Sequence, residues 1–266
     1  MGSKVRIEFR RVWKRFPARG RGGGEVSAVE DVSLAVRDGE VVSIIGPSGC
    51  GKSTLLNMGA GLYLPSAGEV YVDGEPVAGP NPHVAFMLQK DLLLPWRSIR
   101  ENVELGLEIR RVPAADRRAR AVALIERCHL TGFESHYPHQ LSGGMRQRAA
   151  LARTLAVDPT VLLMDEPFSA LDAQTKMVLQ QDLAQTVAEE GKTALFITHD
   201  LVESIALSDR ILVMSARPGR IVTEIPVSIP GREAPIRRRL DTRVGPLAAR
   251  LMEELHIGEA MPAEAF

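Results

Sequence analysis

The chain has 266 residues, 45% of them apolar, which suits one large α/β domain or a core with a smaller appended lobe. Lys plus Arg and Asp plus Glu balance at 33 each, so charge gives no argument for nucleic acid or an anionic membrane surface as a partner. Two cysteines exclude a disulfide framework and fit a reduced compartment; no signal peptide or bilayer-spanning run is predicted, so a membrane role would need a partner that supplies the span.

The first elements in chain order are predicted to be antiparallel β strands. Apolar residues alternate with polar ones at Val5, Ile7 and Phe9, and an alternating stretch of Val32–Val36 precedes the turn at Asp38 and Gly39. The Gly- and Arg-rich segment of residues 19–24 is interpreted as a flexible hairpin loop with solvated charges.

Four short apolar runs follow, and they do not alternate. Strands that are buried on both faces have this pattern, as in a parallel sheet covered by helices. Ligands of such sheets bind beyond the carboxyl ends of the strands, so the residues after each run are the candidates for chemistry. The runs are Val41–Ile45, Val161–Met164, Ala194–Thr198 and Ile211–Met214.

Residues 91–138 have a different pattern and are interpreted as a helical lobe inserted into the α/β core. One helix is indicated by the helical spacing of Ile99, Val103 and Gly106, and a second by Ala119, Val122, Ile125 and Cys128. Near the end of the chain, Leu247, Leu251 and Leu255 predict one short amphipathic helix that packs on the parent domain. Three consecutive arginines, residues 237–239, are expected to form a solvated face.

The most specific motif follows the run Val41–Ile45 directly. It reads Gly46-Pro47-Ser48-Gly49-Cys50-Gly51-Lys52-Ser53 and leads into a helix pattern from Ser53 to Leu62. Glycines at these positions let backbone N–H groups turn towards phosphate oxygens, and the helix N-terminus adds partial positive charge. Lys52 is expected to reach the β- and γ-phosphates of a nucleotide, Ser53 to bind Mg²⁺, and Cys50 to serve only as a spacer.

Two further features extend the phosphate loop. Asp165 ends the run Val161–Met164 and Glu166 follows it, a pair that can hold Mg²⁺ and activate water if its strand lies next to the phosphate loop. Ser142, before Gly143 and Gly144, is a natural helix N-cap; the two glycines and the helix N-terminus also make a second anion site.

At these residues the chain closely resembles the ABC ATPases. Its Leu141–Met145 is similar to their signature motif, and other motifs follow the order of that family from about Val5 to Arg220. The resemblance implies an α/β fold: a phosphate-loop NTPase core with a RecA-like parallel sheet, an N-terminal antiparallel β subdomain and an inserted helical subdomain. It places the ATPase domain at residues 1–230, the helical subdomain at about 90–155, and a tail with one short helix at 231–266.

The resemblance also implies a role for each motif residue. ATP and Mg²⁺ would bind in a head-to-tail dimer of two copies of the chain, with Glu166 as general base and His199 at the γ-phosphate. The signature residues Ser142, Gly143, Gly144 and Met145 would complete the site of the other copy. The nucleotide-binding residues are Phe16, Gly46, Pro47, Ser48, Gly49, Cys50, Gly51, Lys52, Ser53 and Thr54; Ser53, Gln89 and Asp165 are the metal ligands, and Ser169 and Asp172 lie in the D-loop.

Two departures from the family pattern stand out. Position 145 is Met where Gln is commonest, but Ser142 and both glycines remain, so the γ-phosphate contact is expected to survive. The segment of residues 17–26 after Phe16 is longer than usual, which leaves open whether Phe16 or Trp13 stacks on adenine. The His199 assignment rests on its place after a core strand, expected two strands from the phosphate loop.

The segments of residues 89–103 and 215–221 resemble the nitrate/sulfonate/taurine importer branch. This resemblance implies two transmembrane permease subunits, an indirect periplasmic or lipid-anchored solute-binding protein, no nucleic-acid partner, and a peripheral location on the cytoplasmic face of the inner (plasma) membrane. The alternatives are a soluble ABC ATPase without a transport role and the ATPase of a lipid-trafficking or export system. A different phosphate-loop enzyme would not explain Leu141–Met145.

Overall fold

The computed structural model describes residues 4–18 and 24–256. A four-stranded antiparallel sheet with the order β2-β1-β4-β5 begins the fold. Its pairing buries the predicted alternating residues of the first two strands other than Val5, including Ile7, Phe9 and Val32. Most of the segment interpreted as a flexible loop, residues 19–23, lies outside the described residues. The strands are β1 Val5–Pro17, β2 Glu25–Arg37, β4 Ala67–Val72 and β5 Glu75–Pro76.

A six-stranded sheet with the order β10-β9-β3-β8-β7-β6 forms the core. Strands β9, β3, β8, β7 and β6 run parallel, and β10 pairs antiparallel with β9 at one edge. All residues of β3, β7 and β8 are buried, as expected for strands covered on both faces. The strands are β3 Val41–Ile45, β6 Val84–Met87, β7 Val161–Asp165, β8 Thr193–Ile197, β9 Arg210–Met214 and β10 Ile221–Pro226.

The four predicted core strands are confirmed, and the expected phosphate-loop α/β class with its antiparallel and helical parts is confirmed with them. Two strands of this sheet, β6 and β10, were not predicted. Both lie at its edges, and half of the residues of β6 and all but one of the residues of β10 are not buried, so their runs lack the continuous apolar character of the central strands.

Helices cover the parallel sheet and form the inserted lobe. The phosphate-loop helix ends at Gly59, three residues before the predicted end. The lobe consists of α2, α3, α4 and a 3₁₀ turn at Pro138–Gln140, and its helices contact one another through the buried side chains Ile99, Val103 and Ile125. The helices are α1 Lys52–Gly59, α2 Ile99–Ile109, α3 Ala114–Arg127, α4 Gly143–Ala156, α5 Ala173–Glu189, α6 Leu201–Leu207, α7 Pro235–Arg238 and α8 Val244–Glu254.

The prediction of which face of α3 is buried is wrong, because the helix is rotated about its axis relative to the expectation. Val122 is 41% exposed, whereas Ala121 and Leu124 are buried together with Ile125 and Cys128. Several small alanines follow one another in this helix, so more than one helical stripe has apolar character. Only contact with α2 and α4 decides which stripe faces inward.

The C-terminal segment contains two helices, α7 and α8, rather than the single predicted one. Leu251 of α8 is fully buried in a cluster with Ile205 of α6, with Leu247 and Leu255 packed against it. The arginine triplet is not a solvated face: Arg238 is 3% exposed, and Arg239 is hydrogen-bonded to the core. A domain boundary near residue 230 stays a prediction, but the segment packs on the parent fold.

Candidate functional site

The phosphate loop connects β3, in the middle of the parallel sheet, to α1. The ammonium group of Lys52 points into the loop and donates hydrogen bonds to the carbonyl oxygens of Gly46 and Pro47, both at 2.8 Å. Lys52 is 9% exposed. A cation is therefore held at the loop that ends in the positive N-terminus of α1, which gives the loop the electrostatics of an anion cradle.

Gly51 shows why the loop needs a glycine. Its φ is 108°, and a Cβ atom there would lie 2.5 Å from the backbone oxygen of Ala28 and 2.9 Å from Val29. Both neighbours belong to β2, so the antiparallel sheet presses against the start of α1. Any side chain at this position would combine backbone strain with a steric clash.

The order of the strands corrects two expectations about the site. Strand β8, which leads to His199, pairs directly with β3. Strand β7, which leads to Asp165 and Glu166, is separated from β3 by β8. His199 is thus one strand from the phosphate loop rather than two, and the carboxylates are not on the adjacent strand. Both carboxylates nevertheless face the same cleft as the loop.

Asp165 is 6% exposed at the end of β7. Burial raises the pKa of its carboxyl group, and the hydrogen bond from Ser53 and the charge of Lys52 oppose that shift only in part. The contact with Ser53 confirms that the end of β7 meets the start of α1. A buried carboxylate with an incomplete set of partners favours a cation as its further neighbour.

Glu166 contacts residues that follow the two strands on either side of its own strand. One oxygen of its carboxylate, Oε2, accepts a hydrogen bond from the side-chain amide of Gln89 at 3.1 Å and lies 3.4 Å from Nδ1 of His199. Gln89 follows β6, Glu166 follows β7 and His199 follows β8. Parallel strands end at one edge of the sheet, so side chains that are distant in the chain meet there. Gln89 lies 77 residues before Glu166, and His199 lies 33 residues after it.

These side chains line an open cleft of about 670 Å³ together with the phosphate loop. Its walls also include Phe16, whose ring meets the ring of Tyr63 edge to face at a centroid distance of 5.7 Å. Trp13 is not among the lining residues and instead lies under the guanidinium of Arg15. The geometry favours Phe16 over Trp13 as the aromatic neighbour of a base, which stays a prediction.

Arg217 is a lining residue that the sequence reasoning missed. It lies in the loop between β9 and β10 and donates two hydrogen bonds, at 3.2 and 3.1 Å, to the carbonyl oxygen of Gly49. Gly219 in the same loop approaches so closely that a Cβ there would lie 2.0 Å from the oxygen of Cys50. The only sequence signal was the segment 215–221, interpreted as a mark of the importer branch.

The second glycine-rich segment is placed elsewhere. Ser142 caps α4 by accepting a hydrogen bond from the backbone N–H of Met145 at 3.2 Å, as its N-cap pattern predicted. None of the residues Ser142, Gly143, Gly144 and Met145 lines the cleft that contains the phosphate loop. This helix N-terminus therefore lies outside the chain's own nucleotide cleft.

The segment between β7 and α5 lies beside the glycine-rich start of α4. Ser169 donates a hydrogen bond to the backbone oxygen of Glu166 at 3.1 Å, and Asp172 caps α5 through the N–H of Thr175 at 3.0 Å. Gly144 approaches Leu171, since a Cβ there would lie 3.2 Å from it. The start of α4 is thus packed against the loop that leaves the carboxylates.

The oxygen chemistry of the cleft fits a small hard cation. Within residues 4–18 and 24–256, no cluster of three or more His, Cys, Asp or Glu side chains could hold a metal. Ser53 and Asp165 nevertheless place a hydroxyl and a carboxylate side by side, and Gln89 adds an amide to the same cleft. Mg²⁺ bound by one or two protein oxygens together with substrate phosphates needs no more than this.

Comparison with known proteins supports the same interpretation. The family described as "ABC transporter" matches residues 29–169. An uncharacterized ABC transporter ATP-binding protein of Methanocaldococcus jannaschii is 46% identical over 82% of this chain and 80% of its own length. A taurine import ATP-binding protein of Yersinia pestis is 45% identical over 78% of this chain and 81% of its own length.

A solved structure with a similar fold is a dimeric ATP-binding cassette in a post-hydrolysis state, bound to ADP and Pi. It is 34% identical to this chain with a TM-score of 0.76, and the match covers 83% of this chain and 98% of that one. Across the part of the chain that the structure describes, no helix is both long and apolar enough to span a membrane.

Proposed function

This chain belongs to the ABC transporter ATP-binding family, and from that premise we propose that it is the ATPase subunit of an importer of the nitrate/sulfonate/taurine type. The chain is an α/β ATPase cassette. The observation that carries the functional proposal is the convergence of Lys52, Gln89, Glu166 and His199 on one cleft, while the Ser142–Met145 segment lies outside it.

The proposed chemistry is hydrolysis of the γ-phosphate of ATP. Glu166 would act as general base on water, because its carboxylate faces the cleft and is oriented by Gln89 and His199. Lys52 would leave the loop carbonyls to contact the phosphates. Mg²⁺ held by Ser53, Asp165 and Gln89 would neutralise phosphate charge. Positioning and charge stabilisation supply most of the catalysis in this class of reaction.

The incomplete cleft supports a dimer as the active form. Ser142 and the glycines that follow it form an anion-binding helix N-terminus with no phosphate loop of the same chain in front of it. In a head-to-tail dimer of two copies, this segment would close the γ-phosphate end of the partner's cleft. The dimeric cassette bound to ADP and Pi lends support to that arrangement.

The importer assignment and its partners rest on similarity. The taurine import relative supports a sulfonate-type or related anion as the transported solute. Two permease subunits would provide the membrane span, with a periplasmic or lipid-anchored binding protein that delivers the solute. The chain would then lie on the cytoplasmic face of the inner membrane as a peripheral subunit.

The test of the ATPase assignment is the substitution Glu166→Gln, measured with purified full-length protein. We expect turnover to fall about a hundredfold or more, with ATP affinity retained and dimerisation by ATP enhanced. Glu75→Gln, on an exposed carboxylate of β5, is the matched control and is expected to behave like wild type. Near-wild-type turnover of Glu166→Gln would remove Glu166 from the role of base.

The importer assignment is tested separately in cells. In a strain that lacks the gene, uptake of labelled taurine, alkanesulfonate and nitrate is compared after complementation with wild type or with Glu166→Gln. Restoration of the uptake of one of these anions by wild type alone supports the proposal. Unchanged uptake of all three in the deletion strain, with or without a defect in lipid export, would contradict it.

A further inference from the structure

Two arginines of the C-terminal segment point into the protein instead of into solvent. Arg238, at the end of α7, is 3% exposed, and Arg239 follows it. Both are part of a triplet whose first member, Arg237, is exposed. Burial of a cation costs free energy unless polar partners compensate for lost water, so the partners of these two side chains indicate their purpose.

A line of hydrogen bonds connects Arg239 to α6. Its guanidinium donates to Oε1 of Gln180 on α5, and Nε2 of Gln180 donates to Oε2 of Glu203 at 2.8 Å. Gln180 is 1% exposed and Glu203 is 2% exposed, so water does not compete for the contact between them. The side chain of Gln180 is thus oriented from both sides, with its oxygen towards the C-terminal segment and its nitrogen towards α6.

The carboxylate of Glu203 is the centre of a polar cluster beneath His199. It lies 2.7 Å from the ammonium of Lys176 and accepts a hydrogen bond from the hydroxyl of Thr198. Lys176 also donates to Asp200 at 2.8 Å, and Asp200 caps α6 through the backbone N–H of Glu203 at 3.0 Å. Thr198 and Asp200 are the residues on either side of His199, so the cluster holds the backbone there from both directions.

The charges of this cluster depend on one another. Burial opposes the charged form of Lys176, but its hydrogen bonds to Asp200 and Glu203 outweigh that effect and raise its pKa. Burial also acts to raise the pKa of Asp200, and the hydrogen bond from Lys176 outweighs it and lowers that pKa. Loss of one member would therefore change the charge balance at the others.

The opposite end of α6 is held by Arg238. Its guanidinium donates to the backbone oxygens of Ala206 and Val227, both at 3.3 Å. A cation near the last carbonyl groups of a helix complements the helix dipole. Leu251 of α8 packs in the same cluster as Ile205 of α6. The C-terminal segment thus contacts α6 at its end and along its side.

The side chain of His199 is itself held weakly. It is 68% exposed, and its 3.4 Å approach to Glu166 is longer than a good hydrogen bond. Its position in the cleft therefore depends on the backbone between Thr198 and Asp200. That backbone depends in turn on Glu203 and Gln180.

We propose that Arg239 and Arg238 of the C-terminal segment are positioning residues for ATP hydrolysis, which hold α6 and thereby place His199 against the cleft. This inference rests on the proposed ATPase role of the cleft. Neither arginine touches the nucleotide site: the residues that line the cleft include neither of them. Displacement of residues 235–254 would thus slow hydrolysis at an intact nucleotide site.

The test compares three substitutions in the full-length protein. Arg239→Ala is expected to lower kcat about fivefold and to leave the KM for ATP and the Kd for ATP within about twofold of wild type. Arg239→Lys should recover part of the loss, because an ammonium can also donate to Gln180. Arg237→Ala removes an exposed arginine from the same helix and is expected to match wild type.

A double substitution tests the route through His199. Because Arg239 acts on hydrolysis only through His199, Arg239→Ala should cause no further loss of kcat when it is introduced into His199→Ala. Single-turnover hydrolysis measures both proteins even if steady-state rates are small. Multiplied losses in the double variant would overturn the inference, as would an Arg239→Ala variant with the kcat of Arg237→Ala.

Folding and function are separated by one further measurement, the melting temperature. The Tm of each variant is recorded, since Arg238→Ala leaves buried carbonyl groups without a donor and is expected to unfold more easily. Arg239→Ala with an unchanged Tm and a reduced kcat supports positioning, whereas equal losses of kcat and ATP affinity would contradict it. The variant outcomes above bear only on the role of the arginines. A wild-type protein without ATPase activity would overturn the proposed function as well.

Discussion

Two glycine-rich helix N-termini of this chain have similar local sequences and different surroundings. The phosphate loop before α1 is enclosed by β2, by Lys52 and by the loop that carries Arg217. The segment Ser142–Gly144 before α4 has a capping serine and lies outside the cleft. The phosphate loop is enclosed by its own chain, whereas the donors of the Ser142–Gly144 segment face no phosphate loop of the same chain.

The difference shows that local sequence provides the N–H donors, while packing decides whether they form a site. Gly51 is confined by Ala28, whereas a Cβ at Gly143 would meet nothing closer than Arg146 at 3.9 Å. The first segment is therefore sensitive to any added atom for reasons of folding. At Gly143, only the close approach of a partner would require glycine. Substitutions at the two positions can therefore distinguish a folding requirement from a partner requirement.

The largest expected effect is on stability, from alanine at the confined glycine. Gly51→Ala combines a positive φ with a 2.5 Å approach to the oxygen of Ala28, and we expect it to lose about 3 kcal/mol of unfolding free energy or more. Denaturant unfolding followed by circular dichroism measures the loss. A Gly51→Ala protein as stable as wild type would show that β2 does not confine the loop.

Gly143→Ala is the matched control. Its position has room for a methyl group and lies within the first turn of α4, where alanine is the better helix former, so stability should stay within about 1 kcal/mol of wild type. If the proposed dimer is correct, this variant should bind ATP normally and hydrolyse it poorly. Full hydrolysis by Gly143→Ala would remove the requirement for close approach of a partner at α4.

The second expected effect is on nucleotide affinity. Lys52→Ala removes the cation at the phosphate loop, and we expect a loss of about 2 kcal/mol in ATP binding, or roughly thirtyfold in Kd. Ser142→Ala should leave the Kd of the isolated chain unchanged, since Ser142 is outside the cleft. Titration with a fluorescent ATP analogue at low protein concentration compares them. Equal Kd values for the two variants would contradict the distinction between the phosphate loop and the Ser142–Gly144 segment.

The smallest expected effect concerns the carboxylate that faces the cradle. Burial raises the pKa of Asp165, so its charge destabilises the nucleotide-free fold, and Asp165→Asn should raise Tm by on the order of 2 °C at neutral pH. A raised folded-state pKa contributes stability at low pH that is lost as pH rises through that pKa. The advantage of Asn should therefore shrink in acid.

Thermal unfolding with a chelator present, at several pH values, measures this difference. Asp172→Asn is the comparison variant, because Asp172 caps a helix and the hydrogen bond from Thr175 lowers its pKa. Its substitution is expected to change Tm in the opposite direction or leave it unchanged. If Asp165→Asn lowers Tm at neutral pH, Asp165 is a structural carboxylate and its hydrogen bond to Ser53 outweighs the cost of burial.

Much of the fold could be predicted from the sequence because its signals are local. The alternation in β1 and β2, the four buried runs and the loop between β3 and α1 each depend on residues close together in the chain. The cap at Ser142 was predictable for the same reason. The edge strands β6 and β10 were missed because a strand with one unpaired edge and half or more of its residues unburied lacks a strong local signature.

The candidate site was predicted as a set of residues but not as an arrangement. Asp165, Glu166 and His199 follow strands, yet only the tertiary structure shows that β8 lies between β3 and β7. The order of strands in a parallel sheet depends on where each connecting helix crosses, and short-range periodicity contains no information about that.

Partners far apart in the chain were decided by the tertiary structure alone. Arg217 lies 168 residues from Gly49, and Arg239 lies 59 residues from Gln180. By composition the arginine triplet is a solvated face, and only the packing of α7 on α5 and α6 buries Arg238 and brings Arg239 to Gln180. The sequence by itself determined where phosphate can bind, because backbone geometry is local; which side chains surround that phosphate, and what supports them, depends on contacts that only the folded chain makes.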